Sequence, residues 1–581
     1  MLPLTAYTCT PKRRRDRMLA NGLFRASAVA VAALSAAACA STPMHAPNIA
    51  VMIEQEPAPT TQSILRSVLS AKKSGTQPDQ VLAFYQARNF EPAWSGGAEE
   101  EKTATEIRAV LAKAHEQGLR DEDYKLTRDR PPPGASAAAY EITLTASVLR
   151  YAHDLRSGRV QPNSVYDDIE LPAASFDAVA ALTKALSDHS TAKFLADLPP
   201  SHPEYRRLVK ALARYRAIAD EEGWPSVPGQ NEVKLDGKDE RVSVLIERLA
   251  VEDPMLAAIA NPSTAEIRDA VKRFQARNGL NQDGRVGGGT LAALNVPADT
   301  RVEQIVANME RWRWMPRQFE HRYVAVNVPD QSLEFVRDGK AVLSSRVVVG
   351  RKTSPTPITR SAITAVVVNP PWNIPGDIAA RDLLPQLKKN PNYLALKHMV
   401  VTDGLPNDPY GRKIDWRKVV PAEFPYAIRQ LPGPATALGA VMLDSPNNFD
   451  VYLHDTPNKR LFDSNLREIS NGCVRVQQIF ALASLALTDD TAKGMSGITK
   501  ATKSRDTQRL TLDDPLPVYF LYWTALAGPD GDVGFRPDRY GRDERLIAAL
   551  KGEHRITTRE TGMSGPADME ANPQEDEDIS P

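Results

Sequence analysis

The hydrophobic period of this chain changes at Tyr323. Upstream, apolar residues recur three and four apart, as on one face of a helix. From Tyr323-Val324-Ala325-Val326-Asn327-Val328 onward they alternate, as on a half-buried strand. Two patterns held in separate blocks predict a multidomain α+β architecture rather than a mixture in one layer. At 581 residues the chain is also too long for a single core, so two to four domains are expected.

The helical block shows Ile107, Val110, Leu111 and Ala114 at i, i+3, i+4 and i+7, closed by Gly118 as a C-cap. Similar stripes run over 140–155, 176–186 and 205–219, broken by Pro131-Pro132-Pro133 and Pro199-Pro200. Residues 61–223 therefore read as a helical scaffold domain. Its histidines, among them His153, His189 and His202, are scattered and suggest no catalysis. A smaller unit spans 239–297, with one helix carrying Val242, Leu245, Ile246 and Leu249 and a second carrying Ile267, Val271 and Phe274. Turns follow at Asn278-Gly279 and Asp283-Gly284, then a short helix over 290–295. A further helix over 301–317 brings Trp312 and Trp314, expected to pack between domains.

The β-rich block covers 322–526. Leu333 to Val336, the Asp338-Gly339 turn and Ala341 to Val349 predict a hairpin, and 364–368, 441–443, 450–453 and 518–523 predict further strands. A Pro-rich stretch over 371–434 interrupts it, with a helix expected over 378–389. Loops that long are frequently lids, and this one re-enters the sheet shortly before His454, so it is expected to cap a site there. Residues 527–581 read as a polar tail ending in Glu575-Asp576-Glu577-Asp578.

The N-terminus predicts export. Lys12-Arg13-Arg14-Arg15 and Arg17 precede an apolar run over 26–38, too short to span a bilayer, within a leader over 1–40. Cys39 after Ala36-Ala37-Ala38 resembles a lipoprotein signal without the leucine three residues earlier, so lipidation and simple cleavage both stay open. Either route leads out of the cytoplasm, and membrane attachment is expected only through a lipidated Cys39. A Pro-rich linker follows over 41–60. Lys plus Arg and Asp plus Glu each total 72, which gives no electrostatic reason to expect nucleic acid.

Of three cysteines, only Cys473 lies outside the leader region. An oxidising compartment favours paired cysteines or none, so a lone retained thiol points to chemistry more than packing. His454 is the candidate base. Gly472 would let the backbone approach a substrate and aim amides at a developing oxyanion.

Two resemblances rest on these residues. Ala270-Val271-Lys272-Arg273-Phe274-Gln275, Gly279-Leu280, Asp283-Gly284, Gly287 and Thr290 to Asn295 look like the three-helix peptidoglycan-binding domain. Tyr452-Leu453-His454-Asp455-Thr456-Pro457, Leu461-Phe462, Arg467 and Ser470-Asn471-Gly472-Cys473-Val474-Arg475-Val476 resemble the YkuD-type L,D-transpeptidase catalytic domain. Pro371-Trp372-Asn373-Ile374-Pro375 is similar to the capping insertion of the large periplasmic, YcbB-like branch. The resemblance implies Cys473 as acylated nucleophile, His454 as base, and the Asp455 backbone carbonyl as third member. It implies the Gly472 and Cys473 amides as oxyanion hole, and Tyr452, Trp372, Asn373, Ser470, Asn471 and Arg475 as substrate contacts. Arg475 reads equally as a salt bridge inside the loop. Many relatives carry histidine where this chain has Asn471, which is read as a local hydrogen-bonding residue.

The implied substrate is peptidoglycan, both stem peptides and glycan strands, and the implied chemistry needs no metal or cofactor. Cys473 would attack the amide between meso-diaminopimelate and the terminal D-alanine, and an acceptor amine would resolve the thioester into a 3→3 cross-link. With water as acceptor the enzyme is an L,D-carboxypeptidase. A wall-binding scaffold with a dead catalytic domain is the non-enzymatic alternative, and protein partners are not specified.

Overall fold

The computed structural model describes residues 59–552 except 72–78, 127–134, 173–174, 237, 404–406 and 489–490. The expected leader with Cys9 and Cys39, nearly all of the linker and Glu575 to Asp578 lie outside the described residues.

The helical block folds because its apolar stripes meet and its helix ends are satisfied. Asp79 caps Gln80–Ala87 by accepting from the Val81 and Leu82 amides, and Asp177 caps Ala178–Ser187 through the Ala180 amide. The helix over 107–114 stops earlier than its stripe suggests. Ala98–Leu111 is α-helical, and Gly118 caps a separate 3-10 turn, Ala114–Gln117, in left-handed backbone. Glu141, fully buried on Ala135–Ser157, accepts from Tyr85 Oη at 2.7 Å, the Ala93 and Trp94 amides at 2.8 and 2.9 Å, and Ser95 Oγ at 2.6 Å. That charge is affordable only because every lone pair it aims inward is met.

In the small unit, Arg241–Ala250, Thr264–Arg277 and Gly288–Leu294 pack Leu245, Leu249, Val271, Phe274 and Leu294 together. Ser263 and Glu266 form a reciprocal capping box at the start of Thr264–Arg277. Buried Gln275 pins the following turn, donating to Asp283 Oδ1 and the Arg285 carbonyl and accepting from the Gly284 amide, each at 2.9 Å.

The helix Ala298–Arg313 is buried almost all round, charges included. Glu310 and Arg313 pair at 2.6 Å, and Arg311 meets Asp543 at 2.5 Å. Trp312 stacks on Trp523 with centroids 4.3 Å apart, and Trp314 Nε1 donates to the Val160 carbonyl at 3.0 Å. The tryptophan pair thus joins the scaffold to the sheet.

The strands are β1 Ile169–Glu170, β2 Arg322–Asn327, β3 Ser332–Arg337, β4 Lys340–Gly350, β5 Ile358–Val368, β6 Trp372–Ile374, β7 Met399–Val401 and β8 Ile428–Gln430. They continue with β9 Val441–Asp444, β10 Leu453–His454, β11 Glu468–Ser470, β12 Val474–Val476 and β13 Gln508–Leu521. Pairings run β5-β13-β2-β3-β4-β12-β10-β9, and β9 pairs β5 again, so the main sheet closes on itself. Closure removes the free edges that an open sheet must protect. The scaffold's β1 joins the start of β5, and β11 joins the end of β4. Strand β13 is longer than its sequence suggests. Pro515 sits in a register shift between Thr511 and Leu516, where a missing ladder donor is tolerated.

The stretch 371–434 has its own core of Ile374, Leu383, Leu384, Leu387, Leu394, Trp416 and Ile428, beneath a small sheet ordered β6-β8-β7. It is a folded insertion rather than a bare loop.

The expected polar tail is corrected over 527–552. Ala525–Ala527 pairs with Val533–Phe535, and Arg542–Lys551 is a helix burying Leu546 and Leu550. The segment reads as polar because its charges are spent internally. Arg536 pairs with Asp330, Arg542 with Asp168 and Asp543 with Arg311.

Candidate active site

Strands β10 and β12 are parallel neighbours, with Leu453 opposite Val474 and His454 opposite Arg475. Side chains alternate along a strand, so Leu453 and Val474 enter the core, where both are fully buried. Tyr452, His454, Cys473 and Arg475 therefore share the other face. Nineteen residues of sequence reduce to a diagonal between adjacent strands, because His454 lies abreast of Arg475 and Tyr452 abreast of Cys473.

His454 is buried, and its Nδ1 lies 2.5 Å from the Asp455 carbonyl. A carbonyl only accepts, so Nδ1 carries the proton and Nε2 keeps its lone pair. Burial, reinforced by the Arg475 charge alongside, pushes the imidazole down to about 3, against the pull of the Asp455 and Leu438 carbonyls. The ring is neutral at ordinary pH.

Asp455 contributes twice. Its carbonyl orients His454, while its buried carboxylate accepts from the Ala440 amide at 3.0 Å and pairs with Lys459. Gly439 permits this, since a Cβ there would lie 2.5 Å from the Asp455 side chain.

Cys473 is free and partly exposed, with Sγ 3.7 Å from the Asp450 carbonyl. Enclosure by the protein raises its thiol pKa, opposed by Tyr452 through backbone and hydroxyl and by the charge of Arg475. The resting pair is thus thiol and neutral imidazole, not thiolate and imidazolium. Tyr452 lies at the thiol and also bonds the Trp372 side chain from β6.

The loop that carries Cys473, 471–473, turns between β11 and β12 at the end of β4. Gly472 has φ +110°, backbone that other residues rarely adopt. Its carbonyl accepts from Thr356 Oγ1 at 2.8 Å, and that oxygen accepts from the Gly350 amide at 2.9 Å. Tyr540 Oη in turn bonds the Gly350 carbonyl, and Arg542 donates to the Thr356 carbonyl at 3.2 Å. The C-terminal segment therefore buttresses the loop.

Three expectations change. Ser470 is buried, donating to the Cys473 carbonyl at 2.6 Å and accepting from the Gly472 amide at 3.2 Å, so it braces the loop instead of meeting substrate. The same bond occupies the Gly472 amide. Among the described residues no acceptor meets the Cys473 amide, which makes it the donor open to an oxyanion. Asn373 alternates away from Trp372 on β6, and its Oδ1 accepts from Arg429 at 2.6 Å. It faces the insertion's own sheet. Asn471 Oδ1 is held by Arg351 at 2.6 Å and by Arg381, from the insertion, at 2.8 Å.

Sequence reasoning missed Thr356, Arg351 and Arg381. A trace existed for the first two in Gly350-Arg351-Lys352-Thr353-Ser354-Pro355-Thr356, a turn-rich run between two strands. Arg381 carried none.

Residues 321–495 match the family "L,D-transpeptidase catalytic domain", 261–294 the family "Putative peptidoglycan binding domain" and 79–212 the family "Scaffold domain". A Haemophilus influenzae (strain Rd) protein named "Putative L,D-transpeptidase" is 36% identical over 251 residues, 42% of this chain and 49% of that protein. The chain thus spans about half the length of the curated relative it matches. An L,D-transpeptidase (Yku) structure from Stackebrandtia nassauensis is 15% identical with a TM-score of 0.19, covering 51% of this chain and 96% of that one. The Ldtfm-avibactam carbamoyl enzyme is 12% identical with a TM-score of 0.17, covering 44% and 80%. Superpositions of that quality carry no structural argument.

Proposed function

We propose that this chain, which joins an L,D-transpeptidase catalytic domain to a peptidoglycan-binding domain and a scaffold domain, is a cysteine-dependent murein L,D-transpeptidase. The observation that carries the reading is the register of β10 and β12, which sets Cys473 diagonally across adjacent strands from a histidine whose Nδ1 is tied to a carbonyl.

The reaction follows from the neutral resting pair. As Sγ attacks the carbonyl carbon of the bond between meso-diaminopimelate and D-alanine, His454 Nε2 takes the thiol proton. Negative charge on the carbonyl oxygen is met by the Cys473 amide, a donor worth about 3 kcal/mol in comparable sites. The C–N bond breaks, D-alanine leaves with the proton from His454, and a thioester remains. The acceptor amine then attacks the thioester carbon and yields its proton to His454. The C–S bond breaks, the sulfur regains its proton, and a 3→3 cross-link is formed. Tyr452 and Trp372 wall the donor side, and the insertion restricts water.

A cell-wall location accords with the peptidoglycan-related domains, and we place the protein in the periplasm. Among the described residues no helix is long and apolar enough to cross a membrane.

Incubating the full chain with purified tetrapeptide muropeptides tests this. Cross-linked dimers with release of D-alanine, abolished by Cys473→Ala, are expected. Tripeptide alone would assign the enzyme to hydrolysis, and no product from folded protein would leave a wall-binding scaffold.

A further inference from the structure

We propose that Arg351 and Arg381 form a carboxylate-binding site beside the nucleophile, in which Asn471 Oδ1 stands where one carboxylate oxygen would sit. The inference rests on the reading of Cys473 as the reacting group. Arg351 follows β4 and donates its amide to the Ser470 carbonyl at 2.9 Å, which fixes it against the nucleophile loop. Its Nη2 lies 2.6 Å from Asn471 Oδ1, and its Nε is buried without an acceptor. Among the described residues no carboxylate pairs with it. Arg381 comes from the opposite side of the cleft, on the insertion, and its Nη2 lies 2.8 Å from the same oxygen.

Two guanidinium groups converging on one neutral amide oxygen is a poor electrostatic match. A guanidinium's planar fork fits a carboxylate with two parallel bonds, and charge-assisted bonds are roughly twice as strong as neutral ones. Asp382 holds Arg381 through Nε and Nη2 at 2.8 and 2.9 Å, and Asp377 acts on it more weakly. Arg351 has no such compensation, so the site keeps an open demand for one negative charge. Asn471 is two residues before Cys473, within about 7 Å of chain reach, so a carboxylate there belongs to the residue at the scissile or newly formed bond. A carboxylate would displace the Asn471 oxygen and bridge the catalytic domain to its insertion.

Two alkylating reagents, N-bromoacetyl-D-alanine and N-bromoacetyl-D-alaninamide, test this on the full chain. Each transfers its acetyl carbon to Cys473 Sγ with loss of bromide, and only the first carries a carboxylate. The carboxylate reagent is expected to react roughly tenfold faster, the scale of one charge-assisted hydrogen bond. Arg351→Gln and Arg381→Gln should each bring the two reagents to nearly equal rates, the comparison being the ratio of rates within each variant, with a cooperative thermal melt verifying the fold. Equal rates in the unaltered chain, or a preference surviving both substitutions and so owed to Arg475, would overturn the site. In turnover, amidating the donor's terminal carboxylate or the acceptor's identifies which one binds, through the KM that rises. Loss of muropeptide turnover with the reagent preference intact would count against the proposed function and leave the carboxylate site standing.

Discussion

The hydroxyl of Thr356 donates to the carbonyl of Gly472 at 2.8 Å. It is fully buried and also receives the Gly350 amide, so a single side chain ties the end of β4 to the residue before Cys473. Thr356→Val keeps the shape and leaves two backbone groups unmet, each costing about 1–3 kcal/mol. We expect a folded protein with a lower melting temperature and slower alkylation of Cys473, read by calorimetry and by mass spectrometry with iodoacetamide.

Two glycines should respond differently to alanine. At Gly472 an added Cβ would meet nothing closer than 3.7 Å, so the cost is the backbone at φ +110°, about 1–3 kcal/mol. At Gly439, φ +60° is joined by a 2.5 Å clash with Asp455. Gly439→Ala should be the more destabilising of the two and should also displace the carbonyl that orients His454. Chemical denaturation compares the two stabilities.

The neutral thiol and imidazole set the pH dependence. Because burial holds His454 near 3 against an ordinary value of 6.5, the unfolded chain binds that proton first as pH falls. The histidine's contribution to stability is therefore complete above about pH 6.5 and is lost progressively toward pH 3, at about 1.4 kcal/mol per unit. His454→Gln should flatten this part of the stability profile. For reactivity, the alkylation rate of Cys473 should keep climbing through pH 9, since enclosure raises the thiol's pKa. A plateau between pH 5 and 8 would instead mark a thiolate-imidazolium pair.

A chain ending at Ala527 would expose Trp523's surroundings and remove Phe535, Tyr540 and Leu546 from the core. It would also strip Arg311 of Asp543 and leave Gly350 without Tyr540. We expect loss of soluble, cooperatively melting protein, read by expression yield and thermal melting.

The elements that follow simple periodicity were legible in the sequence. The change at Tyr323, the hairpin around Asp338-Gly339 and the stripes of 140–155 and 205–219 each express burial on one face, which a single sequence displays directly. Cys473 and His454 stood out as candidates because a lone thiol and a histidine are rare types, and the parallel pairing of β10 and β12 brings their strands together. What escaped depends on partners far away in sequence. The polarity of Arg536, Asp538 and Asp543 looks like a tail until Asp330 and Arg311 are placed beside them. Asn471 is uninformative by itself and acquires meaning only from Arg351 and Arg381, which lie 120 and 90 positions before it. Ser470 resembled a substrate contact because its type is polar, and the bonds that occupy it form only once the loop has turned.

The closure of β5 against β9 has a consequence for how this protein can vary. Val368 and Val441 are paired neighbours, and the Asn369 amide continues the ladder to the Ala440 carbonyl at 2.9 Å. Everything between them leaves and returns through one doorway whose two posts are already bonded together. Because lengthening a loop whose ends are fixed costs only logarithmically in entropy, that excursion can be enlarged, trimmed or exchanged while the ring beneath keeps its register. The closed sheet and the excursion are therefore separately replaceable parts, and a lineage could rewrite the second while keeping the first intact.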